Sequence, residues 1–366
     1  MSAKFRKILL SGYYGFDNAG DEAVLASLCD ILRGKLPNVE LVALSAKPEA
    51  TAAAYDIRAI NRWDKAALRT ELAECALFCS GGGSLLQDVT SVRSVWYYTS
   101  LLRQAQKQGV PTIVLAQGLG PLRTKAGRWL AGRALSKCRL LSWRDAASER
   151  LAAEILPPAQ KTIPSYVVCD PVLLWQPTAG DSSAVADGEE LTVAAQNIKV
   201  VALALRPWRN MQPAAAACLV QLLREQNFQP VLLPYHLGED EKLAEQINAA
   251  LTTAGQEPAA VWRCATPQEA WTAVGRADLL LGMRLHSLIM AAAQGVPALA
   301  FSYDPKVEAF ARMAAMPLAA AGDLQPDSVL AQLNALPAKP QAYPLAPLLG
   351  SWPPLLAAIN RILAEK

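Results

Sequence analysis

Short, almost wholly apolar runs alternate along the chain with longer segments of helical periodicity. The first run is KILLSGYYG (Lys7–Gly15), a strand pattern entering a glycine-bearing loop, and DEAVLASLCDILRGKL follows as a helix from Asp21. Further strand patterns are VELVAL (Val39–Leu44), ALFCS (Ala76–Ser80), PTIVLAQ (Pro111–Gln117) and RLLSWR (Arg139–Arg144), and YVVCDPVLLW (Tyr166–Trp175) closes this half. The character then changes. QPTAGDSSAVADGEEL (Gln176–Leu191) is small, polar and without period, which predicts an exposed linker.

A second alternating series begins at VVALALRPW (Val200–Trp208) and continues through PVLLPYH (Pro230–His236), AAVWRC (Ala259–Cys264), DLLLG (Asp278–Gly282) and PALAFSY (Pro297–Tyr303). Helical patterns separate these runs, among them GEDEKLAEQINAAL (Gly238–Leu251), and the tail predicts a helix after Pro354. Strands alternating with helices predict βαβ units and parallel sheets. The expected organisation is two similar α/β domains, 1–178 and 179–345, with a helical tail over 346–366. Ligands of such sheets bind beyond the carboxyl ends of the strands, so the residues just after each strand carry the functional reading.

Composition narrows the class. The chain of 366 residues is 52% hydrophobic and 18% charged with a net charge of +3, enough apolar material for two cores and too balanced for bulk nucleic-acid binding. Seven scattered cysteines without a C-x-x-C pair predict buried, reduced thiols and no zinc site. The apolar run at the N-terminus is too short for a signal peptide, and no run of 18 uncharged apolar residues exists. A cytoplasmic protein is expected, with any membrane contact peripheral.

Five strand ends offer chemistry. In GYYGFDNAGDEA, glycines suit close backbone approach to a ligand, Asp17, Asn18 and Asp21 can bind hydroxyls, and Asn18 or Asp21 alternatively caps the helix. In CSGGGSLLQD, the glycines around Gly82 either present N–H groups at a helix start or pack tightly against a neighbouring loop. Gln117, in AQGLGPL, is expected to reach a ligand. Arg144, in SWRDAASER, stands at a strand–helix junction with Asp145 as the expected cap, and either points across the cleft or pairs with a local carboxylate. The fifth is LLLGMRLHSLIMAAAQG, where Arg284 and His286 fall in the first turn of a helix starting near Leu285 and stopping at Gly295. Helix N-termini favour anions, so two basic side chains there are offset if a bound anion joins them; the alternative is that His286 is a buried, hydrogen-bonded core histidine. The next strand ends in SYDPKVEAF, which brings Lys306 to the same edge. His236 and Arg206 also follow strands, and each either binds ligand or serves its local turn.

Taken in order, GYYGFDNAGDEA, GGGSLLQD, AQGLGP, SWRD, CDPVLL and above all GMRLHSLIMAAAQGVPALAFSYDPKV resemble the polysaccharide pyruvyltransferases, most closely the CsaB-type enzymes that pyruvylate cell-wall polymer precursors. The resemblance implies a GT-B-like α/β fold, two Rossmann-like domains facing across a central cleft, with acceptor on the N-terminal side. It implies phosphoenolpyruvate as co-substrate and donor, no further cofactor and no metal. It also implies a lipid-linked saccharide acceptor, in which N-acetylmannosamine receives a 4,6-linked pyruvate ketal that anchors surface-layer proteins.

The match makes His286, Arg144 and Lys306 the catalytic residues. A multiply anionic donor would be held by Arg144, Arg284 and Lys306, with Arg206 and His236 as further donor-side candidates. His286 would protonate the methylene carbon as general acid. Asp17, Asn18, Asp21, Gly82 and Gln117 would face the acceptor. The alternatives are a GT-B glycosyltransferase using a nucleotide-diphosphate sugar and a non-catalytic glycan-binding module.

Overall fold

The computed structural model describes residues 6–89, 91–160, 162–177, 198–208, 212–320, 326–337 and 339–365. They divide into two compact units. The first comprises Met1–Phe16, Val24–Trp175 and Ala346–Lys366, and the second Asp17–Ala23 and Gln176–Leu345. Beyond residue 177, the expected linker Gln176–Leu191 lies outside the described residues, as does the expected boundary at 178.

The first unit holds a seven-stranded sheet of β1 (Arg6–Tyr14), β2 (Val39–Ser45), β3 (Arg58–Asn61), β4 (Leu77–Gly81), β5 (Thr112–Gln117), β6 (Leu140–Trp143) and β7 (Ser165–Val167). Its spatial order is β3-β2-β1-β4-β5-β6-β7, and the register sets Leu9 between Val42 and Phe78. Every pairing is parallel, which requires a crossover between strands and buries both faces. That is why Ile8, Leu9 and Leu10 are all apolar and fully buried rather than alternating.

The second unit repeats the plan with six strands: β8 (Lys199–Ala204), β9 (Phe228–Leu232), β10 (Ala260–Val261), β11 (Leu279–Gly282), β12 (Ala298–Ser302) and β13 (Leu318–Ala320). They run in the order β10-β9-β8-β11-β12-β13, again parallel, with Leu281 between Leu203 and Leu299. In each sheet the strand order reverses at the first strand, the switch point where open parallel sheets take ligands.

The tail is an element of the first unit rather than a separate appendage. Its helix starts at Trp352, earlier than expected, and runs to Ala364. It buries Trp352, Leu355, Ile359 and Leu363 along one face. The Trp352 indole N–H donates to the Cys169 carbonyl at 3.1 Å, and the Cys169 N–H donates to Ser351 Oγ at 3.2 Å.

Six of the seven cysteines are buried. Burial pushes the thiols of Cys29, Cys138, Cys169 and Cys264 up to about 12, so they stay protonated and act as small apolar side chains. Among the described residues, no helix is long and apolar enough to cross a membrane.

Candidate active site

In the second unit, the carboxyl edge gathers residues from four strand ends and from the segment Asp17–Ala23. This segment, expected on the acceptor side, groups with the second sheet. Asn18 forms an antiparallel bridge with His236, the Ala19 N–H donates to the Tyr235 carbonyl at 2.9 Å, and the Leu237 N–H donates to the Asp17 carbonyl at 3.1 Å. Asp17 takes a left-handed backbone (φ 55°), which Asp tolerates better than most residues. Asn18 caps the helix Ala19–Lys35, its Oδ1 accepting from the Gly20 N–H at 3.1 Å, and Asp21 lies in the first turn.

His286 is half-buried, in the first turn of the helix Leu285–Gln294, which ends at a left-handed Gly295. Its ring lies on the backbone of Gly20. A Cβ placed there would come 2.7 Å from the ring Cγ and 2.9 Å from the histidine Cβ. Glycine is therefore required at position 20 by close approach to the imidazole. Alanine there would favour the helix by up to about 1 kcal/mol but displace the ring. Gly20→Ala is expected to leave the melting temperature nearly unchanged and to cut turnover at least tenfold, read by steady-state kinetics beside thermal unfolding.

Arg284 differs from its expected role. Its guanidinium is bidentate to Asp240, with Nε donating to Oδ2 at 2.9 Å and Nη2 to Oδ1. Asp240 Oδ2 also accepts from the Tyr235 and His236 N–H groups at 3.1 and 2.9 Å. Burial works against the arginine's charge, but the Asp240 hydrogen bonds and charge outweigh it, with smaller help from Tyr303 and Glu239, and its pKa is raised. A carboxylate of the chain itself thus offsets this cation, where the sequence suggested a bound anion. The pair ties the end of β9 to the end of β11 and sets the backbone from which His286 projects.

Two further cations stand at this edge. Lys306 is half-buried in the first turn of the helix Pro305–Met313, 3.6 Å from Asp304, which caps that helix through the Lys306 N–H at 3.0 Å. Arg206 donates to the Tyr303 hydroxyl at 2.9 Å and lies over the Tyr303 ring, 4.9 Å from its centre. Its buried Nε has no hydrogen-bond partner among the described residues. His236 is half-buried beside Asn18, with Nδ1 3.8 Å from Glu239. Two helix N-termini, an imidazole, an ammonium and a guanidinium with an unsatisfied N–H give this edge groups able to hold a small anion.

The first unit gathers a different set. Arg144 is buried; it donates to Ser84 Oγ at 2.6 Å and pairs with Asp170 at 3.4 Å. It lies against Gly118, where a Cβ would meet its Nε and Nη2 at 2.9 Å. Asp145 caps the following helix as expected, accepting from the Ser148 N–H at 2.7 Å. Gln117, expected to reach a ligand, is wholly buried, and its Oε1 accepts from Ser80 at 3.1 Å.

No helix follows the glycines of GGGSLLQD directly; the next one begins at Val92. Gly82 and Gly83 take left-handed backbones, and a Cβ on Gly82 would collide with Val24. The loop is instead joined to the one after β5. The Gly118 N–H donates to the Gly83 carbonyl and the Gly120 N–H to the Leu86 carbonyl, both at 2.8 Å. Tight loop packing is the reading the structure supports.

Asp88 fastens the same two loops. It accepts from the Arg123 N–H at 2.7 Å and from the Thr124 N–H and hydroxyl at 2.8 and 2.6 Å. Burial raises its pKa, but these hydrogen bonds, with Thr124 foremost, bring it below the usual value. Its contribution is present above the unfolded carboxyl value near 4 and is lost as pH falls through the lower folded value. Asp88→Asn is expected to cost about 2 kcal/mol at neutral pH, and the deficit to shrink below about pH 4, checked by urea unfolding at several pH values.

Sequence reasoning missed three site residues. Asp240 and Ser84 gave no signal, because their partners Arg284 and Arg144 are far away in sequence. Arg62, directly after β3, is buried in an aromatic cage. It donates to the Gly12 carbonyl at 3.1 Å and to the Tyr97 and Tyr98 hydroxyls at 3.2 Å, within 4.9 Å of the Phe16 ring centre.

The doubly wound architecture is that of GT-B proteins. A Listeria monocytogenes protein assigned as a UDP-N-acetylglucosamine 2-epimerase superimposes with a TM-score of 0.64 at 14% identity, covering 100% of this chain and 98% of that one. The Neisseria meningitidis UDP-GlcNAc 2-epimerase bound to UDP-GlcNAc gives 0.58 at 12% identity, covering 98% and 100%. The E. coli ADP-heptose lipopolysaccharide heptosyltransferase II gives 0.54 at 17%, covering 90% and 98%. At such identities the likeness defines the fold. No curated protein is significantly similar in sequence. The family model for polysaccharide pyruvyl transferases matches residues 18–305, and the chain belongs to that family.

Proposed function

We propose that this transferase takes phosphoenolpyruvate as donor and builds a pyruvate ketal on a saccharide, with N-acetylmannosamine of a lipid-linked cell-wall precursor as the acceptor and a CsaB-type role in anchoring surface-layer proteins. The observation that supports the donor assignment is the set of cations and helix N-termini at the carboxyl edge of the second unit, with His286 lying on Gly20. Lys306, Arg206 and the N-terminus of the Leu285–Gln294 helix would hold the carboxylate and phosphate. Arg144, held by Asp170 and Ser84, is carried over from the family resemblance.

His286 gives a proton to the methylene carbon, making it a methyl group and the adjacent carbon an oxocarbenium-like centre. One sugar hydroxyl attacks that carbon and loses its proton. The carbon–oxygen bond to phosphate then breaks, Lys306 stabilises the departing anion, and a second hydroxyl closes the ketal. The two hydroxyl protons balance the one delivered to carbon and the one taken up by phosphate. Asp17, Asn18 and Asp21 orient the hydroxyls or accept their protons.

The test is phosphate release from phosphoenolpyruvate with and without an N-acetylmannosaminyl disaccharide on a lipid-like aglycone. Release that needs the saccharide and resists uridine diphosphate supports the reading. Inhibition by uridine diphosphate, with no phosphoenolpyruvate turnover on any saccharide tried, would favour a nucleotide-sugar donor.

A further inference from the structure

The near-neutral balance of the whole chain conceals a strongly one-sided segment. From Val89 to Arg144 there is no Asp or Glu, while Lys and Arg together number ten. Arg128 pairs with Glu154, Arg139 with Glu365 and Arg144 with Asp170. The other seven make no ion pair among the described residues. The stretch includes two neighbouring helices, Val92–Lys107 and Lys125–Leu135. On the first, Arg93, Trp96, Arg103 and Lys107 follow at helical spacing on the side away from the buried Val95, Leu102 and Ala105. On the second, Lys125, Trp129 and Arg133 recur every fourth residue, with the Arg133 guanidinium 5.4 Å from the centre of the Trp129 ring.

The aromatic residues are placed as oddly as the charges. Trp96 is 61% exposed, Trp129 58% and Trp63 58%. Trp63 belongs elsewhere: it is followed by Asp64 and its ring packs against Phe16 and Arg62 in the cage after β3. Trp96 and Trp129 each lie in the second turn of one of two helices that pack side by side. Exposed tryptophans among lysines and arginines are what a protein presents to a lipid–water interface, where the indole sits among headgroups and the cations meet anionic lipid. A saccharide platform would pair such rings with carboxylates to bind hydroxyls, and this stretch has none.

We propose that the exposed face of the helices Val92–Lys107 and Lys125–Leu135 docks the protein on anionic bilayer surfaces. This inference stands on the first unit's surface alone and is independent of the donor and acceptor reading.

The test is co-sedimentation of the full chain with vesicles of phosphatidylcholine alone or mixed equally with phosphatidylglycerol. Wild type is compared with the doubles Trp96→Ala/Trp129→Ala and Lys125→Glu/Arg133→Glu, whose exposed positions should leave the melting temperature unchanged. Binding to anionic but not neutral vesicles is expected, with the partition coefficient at least tenfold lower in both doubles and falling with salt. Failure to sediment with anionic vesicles would overturn the proposal, as would equal binding by the variants. So would binding to a DNA duplex, weakened by the same charge reversals, in place of binding to vesicles. Because no turnover is measured, neither outcome bears on the chemistry of the site.

Discussion

Replacing His286 with alanine is expected to lower turnover by about two to four orders of magnitude, the range general acid catalysis supplies, while the protein stays folded. The ring is half-buried, so truncation removes little packing, and the Arg284–Asp240 pair that positions the helix is untouched. Steady-state kinetics with phosphoenolpyruvate and the saccharide acceptor, beside a thermal melt, give both readouts. A loss confined to kcat, with KM for the donor little changed, is the signature of an interaction made in the transition state. If His286 serves only to pack against Gly20, then His286→Gln, which keeps bulk but cannot act as an acid, will retain activity.

Asp240→Ala is expected to be the most destabilising single change at this edge, at about 3–5 kcal/mol. It strands the Arg284 guanidinium without its carboxylate and removes the acceptor used by the Tyr235 and His236 N–H groups. Urea unfolding of the variant measures the loss, and Arg284→Met/Asp240→Ala should recover part of it, because the buried charge is then gone. Wild-type stability in Asp240→Ala would mean that the pair is solvated and does not organise the strand ends.

Much of the fold can be read from the chain because parallel strands buried on both faces leave continuous apolar runs, such as LLLG at β11 and ILL in β1. The strands that escape are at sheet edges. In β3 the outer residues Arg58 and Asn61 are exposed and carry no strand pattern, and β13 is three residues long in an alanine-rich stretch. The Gly295 stop and the Asp145 cap were legible because local chemistry decides them. The partners of the arginines were not. Asp240 meets Arg284 from 44 residues away, and Ser84 meets Arg144 from 60. The same limit explains Gln117, which follows an apolar strand like a ligand-facing residue yet turns inward to Ser80.

In the proposed reaction the pyruvyl group, rather than the phosphoryl group, of the donor is transferred, with a proton delivered to its methylene carbon. The direct measurement is to run the reaction in deuterium oxide and examine the products by NMR and mass spectrometry. The expected products are free phosphate and a saccharide ketal whose methyl group carries one solvent-derived deuterium. A phosphorylated saccharide with free pyruvate, or a transferred group without solvent deuterium, would contradict it.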